Sequence, residues 1–190
     1  KPWGVGDLQP WSDIDGSVDA VGELWFERAD PDAPAPALLL KLLFTSAPLS
    51  VQVHPDDTFA RAMGMPNGKS EAWYVISAEP DAQIGIGLDR QVTPQQLRAS
   101  ITNGSIVELM QWRPVAAGDV IYIPAGTIHA LGAGIVLAEI QQRSDTTFRL
   151  FDYGRARELH IDDGVAVANP WPLKSPPGPA RLTAERTVLV

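Results

Sequence analysis

The stretch "GDVIYIPAGTIHALG", Gly118 to Gly132, decides how this chain is read. Its first half, rich in Val, Ile and Tyr, is strand-forming. Pro124 and Gly126 then mark a turn that reverses the chain. Gly118, Pro124, Gly126 and His129 stand in the pattern G-x5-P-x-G-x2-H, so the turn sets His129 at a fixed position at the start of a returning strand. A histidine held by a rigid turn on a sheet is suited to a metal, because a preorganised ligand loses little entropy on binding.

A second polar stretch lies upstream, in "LSVQVHPDD", Leu49 to Asp57. With period 2, Leu49, Val51 and Val53 point one way, and Ser50, Gln52 and His54 the other. On a water-facing strand Thr, Lys or Glu would serve better than Gln and His. The residues alone leave two readings open: a surface histidine beside a Pro-Asp-Asp turn, or a polar face turned inward.

Working outward, short apolar runs punctuated by Gly and Pro give candidate strands at 22–28, 37–44, 49–54, 71–77, 82–88, 119–125, 134–142 and 147–153. Many short strands at close spacing predict an all-β sandwich or barrel. "TPQQLRASITNGSIVELM", 93–110, differs. Thr93 as N-cap with Pro94 after it predicts a helix, broken into two at Asn103-Gly104. "TFARAMG", 58–64, predicts a second small helix that stops at Gly64. The segment "NPWPLKSPPGPARL", 169–182, is Pro-rich and is expected to run extended along the surface.

Composition sets limits. The 190 residues suit one domain with a sizeable core. The net charge of -8 disfavours nucleic acid and acidic membrane surfaces, which need clustered Lys and Arg. An anionic small substrate needs only a few local cations. Cysteine is absent, so a transition-metal site would have to use His, Asp, Glu or an amide oxygen. The longest apolar run, "PALLLKLLF" at 36–44, is too short to span a bilayer, and no apolar leader follows Lys1. A soluble cytoplasmic protein is expected.

The pattern around His129 is similar to the second signature of the cupins, a family of jelly-roll β-barrels. Their usual first signature has two His one residue apart and a Glu shortly after. Here Gln52-x-His54 takes that place and the Glu comes late, as Glu71 in "GKSEAWYVI". This departure is narrower. "LSVQVHPDD", "GKSEAWYVI" and "PAGTIHALGAGIVLAEIQQRSDTTFRLFDYGR", with "KPWG" at the start and "GELW" at 22–25, together resemble the type I mannose-6-phosphate isomerase family over residues 1 to about 165.

The resemblance implies an all-β cupin with short helical insertions over 1–168, a Pro-rich C-terminal segment over 169–190, and the short single-cupin form found in bacteria. It implies one divalent metal per chain, Zn²⁺ by preference, held by Gln52, His54, Glu71 and His129. The polar face of the 49–54 strand then looks into a barrel, which resolves the question left open above. Two imidazoles, a carboxylate and an amide oxygen suit Zn²⁺ and leave positions for substrate. The implied reaction interconverts mannose 6-phosphate and fructose 6-phosphate through a cis-enediol. Lys69, Glu139 and Arg149 are the implied catalytic group. Ser50, Lys41, Arg149 and Arg155 are the candidates for binding the substrate and its phosphate. The sequence does not say which residue moves the proton.

Plainer readings stand beside these. Lys41 in "LLLKLLF" could be a surface residue, and Lys69 and Arg149 solvated cations. Glu139 in an apolar strand needs a cationic partner or a wet pocket, since an unpaired buried carboxylate is costly; Lys69 and Arg149 are the candidates. Trp3 is expected at the barrel mouth, and Trp73 in packing. Arg143 and Asp145 are expected in a local turn or salt-bridge set, and His160 at the surface or in packing. Asn103-Gly104-Ser105 is read as a turn rather than a glycosylation site, and "GIGLDR" lacks the third glycine of a nucleotide loop. Two rival functions remain: an isomerase or epimerase of another sugar, which would tolerate loss of Arg149 and Arg155 if the sugar carries no phosphate, and a non-catalytic sugar-binding cupin, which would lack Lys69 or Glu139.

Overall fold

The structure, a computed structural model, describes residues 1–13, 19–30, 32–172 and 180–181, the last two by backbone alone. In chain order the elements are β1 (Glu23–Phe26), β2 (Leu38–Thr45), β3 (Val51–Val53), α1 (Asp57–Ala62), β4 (Glu71–Ala78), β5 (Gln83–Leu88), α2 (Pro94–Asn103) and α3 (Ile106–Leu109). There follow β6 (Met110–Pro114), β7 (Asp119–Ile123), β8 (His129–Leu131), β9 (Ile135–Gln142), β10 (Phe148–Phe151), α4 (Ile161–Val167) and β11 (Ala180–Arg181). They build one sheet in the order β1-β2-β9-β4-β7-β11 and a second in the order β10-β3-β8-β5-β6. Every pairing is antiparallel. No helix of the described residues is long and apolar enough to cross a membrane.

The eight strands expected from the sequence are present with shifted ends. Met110, expected to end a helix, instead opens β6, where Trp112 pairs with Gly85. Thr93 caps α2 as its sequence requires: its hydroxyl accepts from Gln96 N–H and the Gln96 side chain accepts from Thr93 N–H. Gly104 ends α2 in the left-handed conformation, at φ 81°. Most of the Pro-rich segment, 173–179, lies outside the described residues; Ala180 and Arg181 pair with Val120 and Asp119.

Three apolar clusters fix the layers. Trp73, Val75, Ile84, Ile86, Ile121, Leu131 and Leu137 pack between the sheets. Val51, Val53, Leu97, Ile101, Phe148 and Leu150 pack on the second sheet's other face, under the helices. Leu8, Leu42 and Phe44 close the first sheet's outer face. The alternation expected over 49–54 therefore holds from Val51 onward only. Leu49 precedes β3 and belongs with the cluster between the sheets rather than with Val51 and Val53.

β2 shows why "LLLKLLF" resists reading by composition. Leu38 and Leu40 point outward and are exposed, while Lys41 is only 4% exposed and points between the sheets. Register explains this. Lys41 pairs with Glu139 of β9, and Glu139 with Trp73 of β4, so the inward row carries a lysine, a carboxylate and an indole side by side.

Two glycines are dictated by local geometry. A Cβ at Gly164 of α4 would collide with the Leu150 side chain, so glycine lets the helix close on β10. Gly126 has φ +83°, a conformation that costs side-chain-bearing residues about 1–2 kcal/mol. Its N–H donates to the His54 carbonyl at 2.8 Å, so this one turn ties the entry to β8 to the end of β3. Gly126→Ala is expected to lower stability by about 1–2 kcal/mol, read by urea denaturation; an unchanged midpoint would mean the turn absorbs the side chain.

Candidate active site

His54 follows β3, Glu71 opens β4 and His129 opens β8, so the two sheets contribute to one cluster. All three are buried, and their ligating atoms lie within 4.8 Å of one another. Gln52 pairs with His129 across β3 and β8, and its amide nitrogen is 3.3 Å from His129 Nε2.

Local hydrogen bonds fix the donor set. His54 Nδ1 lies 2.9 Å from the Thr146 carbonyl, and His129 Nδ1 lies 2.8 Å from the Thr127 carbonyl. A carbonyl only accepts, so both Nδ1 atoms carry the proton and both Nε2 atoms present lone pairs. Those lone pairs face a carboxylate: His54 Nε2 is 3.4 Å from Glu71 Oε2, and His129 Nε2 is 3.3 Å from Glu71 Oε1. Among the described residues neither Glu71 Oε1 nor His54 Nε2 has a hydrogen-bond donor, and Glu71 Oε2 has only the Lys69 ammonium, at 3.3 Å. Buried acceptors turned on one another without a donor are costly. A cation among them removes that cost, and the donor set fits one. A half-turn of the Gln52 amide, whose oxygen now accepts from Ser50 at 3.3 Å, would add an oxygen donor.

Lys69 and Glu71 are placed by the segment before β4. Lys69 N–H donates to the Pro55 carbonyl, Gly68 N–H to Asp57, and Ser70 N–H to the Gln142 side chain. These bonds bring Lys69 Nζ within 3.3 Å of Glu71 Oε2. Burial would raise the Glu71 pKa, but the Lys69 charge beside it overcomes this and holds the carboxyl well below its ordinary range. Burial likewise keeps both histidines neutral, taking His54 down to about 3 with help from the Lys69 charge.

Beside this cluster lies a cavity of about 220 Å³. Gln52 and Lys69 belong to both. Its wall also holds Lys41, Ser50, Glu139 and Arg149 from the sequence-derived set. Glu139 faces the cavity and feels the Lys69 charge, as expected, but its direct contacts lie elsewhere. It accepts from the Trp73 indole at 3.1 Å and lies 4.0 Å from Lys41 Nζ. Trp73 thus does more than pack. Burial, reinforced by repulsion from Glu71, pushes Glu139 up to about 7. Lys41 sits 4.0 Å from the centre of the Trp25 ring, near Glu23 and Asp145. Asp145 therefore serves the cavity, whereas Arg143 pairs with Glu27.

One candidate falls elsewhere. Arg155 does not line this cavity; its guanidinium donates to Asp152 and to the Pro48 carbonyl. Arg157, two residues on, does line it. Sequence reasoning missed Arg157, because in an irregular segment no periodicity tells which of two arginines turns inward. His160 is a packing residue: its Nδ1 accepts from Arg149 N–H.

Comparison with known proteins agrees with this geometry. No family model matches the chain. It is 44% identical over 136 residues to the mannose-6-phosphate isomerase of Streptococcus mutans, a match covering 68% of this chain and 43% of that protein. The crystal structure of the Bacillus subtilis mannose 6-phosphate isomerase superposes with a TM-score of 0.72 at 30% identity, over 80% of this chain and 60% of that one. A zinc-bound mannose 6-phosphate isomerase superposes with a TM-score of 0.63 at 14% identity, over 90% and 72% of the two chains, and supports the fold alone. The two facing sheets and the buried His–Glu–His cluster place the chain in the class of cupin-fold proteins. Within that class it is a homologue of the mannose-6-phosphate isomerases. The chain spans less than half the length of the Streptococcus mutans relative.

The Glu139 environment has a measurable sign. Its folded pKa lies above the ordinary carboxyl value, so the folded state holds the proton more tightly and loses stability as pH rises from about 4.5 to about 7. With chelator present, Glu139→Gln is expected to gain stability relative to the parent across that window, by up to about 3 kcal/mol. Urea denaturation at pH 5 and pH 8 checks this; a constant difference between the two proteins would place the charge elsewhere.

Proposed function

We propose that this chain carries a metal-dependent aldose–ketose isomerase that interconverts mannose 6-phosphate and fructose 6-phosphate, with Zn²⁺ held by Gln52, His54, Glu71 and His129. The observation that carries the reading is the set of facing acceptors, His54 Nε2 and the two Glu71 oxygens, of which Oε2 alone meets a cation, Lys69, beside a cavity lined by Lys69, Glu139 and Arg149. The relatives' names supply the substrate. A cytoplasmic setting is part of the same proposal.

When bound, the metal supplies Lewis-acid polarisation of substrate oxygens. The protein's own groups do the rest. Isomerisation moves one proton from C2 of the aldose to C1, while the hydroxyl proton passes from O2 to O1 along the cis-enediol. Glu139 is the group suited to take and return the carbon-bound proton. It faces the cavity, it titrates near neutrality, and Trp73 and Lys41 hold it in place. Arg149 stays charged throughout and cannot serve as a base. Lys69 is a donor beside Glu71, placed to hydrogen-bond the oxygen on which negative charge develops. Ser50 donates to Gln52, which supports a role in holding that amide.

A coupled assay with mannose 6-phosphate, run with metal analysis on the same sample, tests the reading. Turnover with about one zinc per chain is expected, as for a single site of this donor set. One zinc without turnover would leave a sugar-binding cupin or another substrate. His54→Ala and His129→Ala are expected to lose zinc and turnover together; retained zinc in either would refute the site. Glu139→Gln and Lys69→Met are expected to keep zinc and lose at least about 100-fold in kcat. An unchanged kcat would remove that residue from the reaction.

A further inference from the structure

The cavity separates its charges. Its carboxylates, Glu23, Glu139 and Asp145, all lie within 4.0 Å of Lys41. The two guanidiniums on its wall have no acidic partner there. Arg149 donates to the Glu158 carbonyl, and its Nε is buried with no partner among the described residues. Arg157 is held from behind. Its Nε and Nη2 donate to the two oxygens of Asp152, each at 2.6 Å, and its Cζ lies 4.9 Å from the centre of the Trp3 ring. Asp152 is only 3% exposed and also accepts from Arg155. One carboxylate thus serves two guanidiniums and leaves positive charge uncompensated. Arg157 in turn depresses the Arg149 pKa, after burial, which shows the two cations acting on one another. Like charges held together at the wall of a cavity, in a chain of net charge -8, need a reason.

We propose that Arg157, fixed by Asp152 and stacked on Trp3, binds the phosphate monoester of the substrate together with Arg149, and that Arg155 serves only to brace Asp152. A planar guanidinium locked by a bidentate carboxylate and an aromatic face is preorganised, so little side-chain entropy is lost when it meets an anion. A dianionic phosphate between Arg149 and Arg157 removes their repulsion and gives the buried Arg149 Nε an acceptor. The ligand follows from the phosphosugar reading, but the test does not depend on turnover.

Inorganic phosphate is titrated calorimetrically into zinc-loaded parent, Arg157→Gln and Arg155→Gln proteins. Arg157→Gln is expected to weaken phosphate binding about 10-fold or more, the loss of a charge-assisted pair, and Arg155→Gln by less than about threefold. Because Arg157→Gln leaves Asp152 short of a partner, the double variant Asp152→Asn/Arg157→Gln is measured as well and is expected to show the same loss. Unchanged phosphate binding in the double variant, a larger loss in Arg155→Gln, or no phosphate binding by the parent would overturn the assignment. Parent protein that binds phosphate through Arg157 yet turns over no mannose 6-phosphate would refute the isomerase reading and leave this one standing.

Discussion

The buried charge on Glu71 is the constraint from which the rest of the site follows. A carboxylate at 1% exposure is tolerated only if opposite charge and donors surround it. Lys69 meets part of that need at 3.3 Å. The histidines do not, because their protons are committed to the Thr146 and Thr127 carbonyls. The protein has therefore spent two backbone carbonyls on keeping two imidazoles from solving the problem. That arrangement weakens the empty site and favours a cation in it, which is the logic of outer hydrogen bonds that orient metal ligands.

The two sheets divide the work by register. Across the first runs the row Trp25, Lys41, Glu139 and Trp73; across the second runs Arg149, Gln52 and His129. Each row places neighbouring side chains on one face at cross-strand distance. The carboxylate that titrates near neutrality therefore comes from one wall, and the amide and imidazole of the candidate metal site from the other. A slip of β2 by one residue against β9 would turn Lys41 outward and set Leu40 or Leu42 opposite Glu139 instead. The polar residues gain their function from that register rather than from their own chemistry alone.

This explains what the sequence could and could not reveal. The turn at Pro124–Gly126 was legible because its residues have few other uses, and it fixed His129. The polar face of Gln52 and His54 was legible as an anomaly in a period-2 pattern. Leu49 was misplaced because alternation is meaningful only once the strand has begun. Strand β8 is legible only as the strand that returns from the Pro124–Gly126 turn, because three residues carry no period of their own. α4, with a glycine in its middle and no side-chain cap, forms through its packing on β10 rather than through propensity. From the sequence Trp73 is a packing residue, because an indole N–H shows its partner only when the opposite strand is in place. The choice between Arg155 and Arg157 was out of reach for a related reason: both follow Asp152 in a segment with no repeat, and only the position of Asp152 says which guanidinium it turns toward the cavity.

Charge placement ties stability to function in this molecule. Most of an acidic chain's carboxylates must remain in water, yet here Glu71, Glu139 and Asp152 are buried. Each has a different solution. Glu71 stays ionised beside a lysine and a set of metal-type donors, Glu139 moves toward neutrality, and Asp152 is shared between two arginines. A core built for stability alone would use apolar side chains at all three places, since well-packed hydrophobic groups commonly equal or exceed buried ion pairs. Their cost is therefore evidence about the cavity between the sheets. One buried carboxylate held ionised and one that titrates near neutrality, with a third that fixes an arginine at the wall of the same small space, are what the proposed proton transfer on a charged, oxygen-rich ligand would demand.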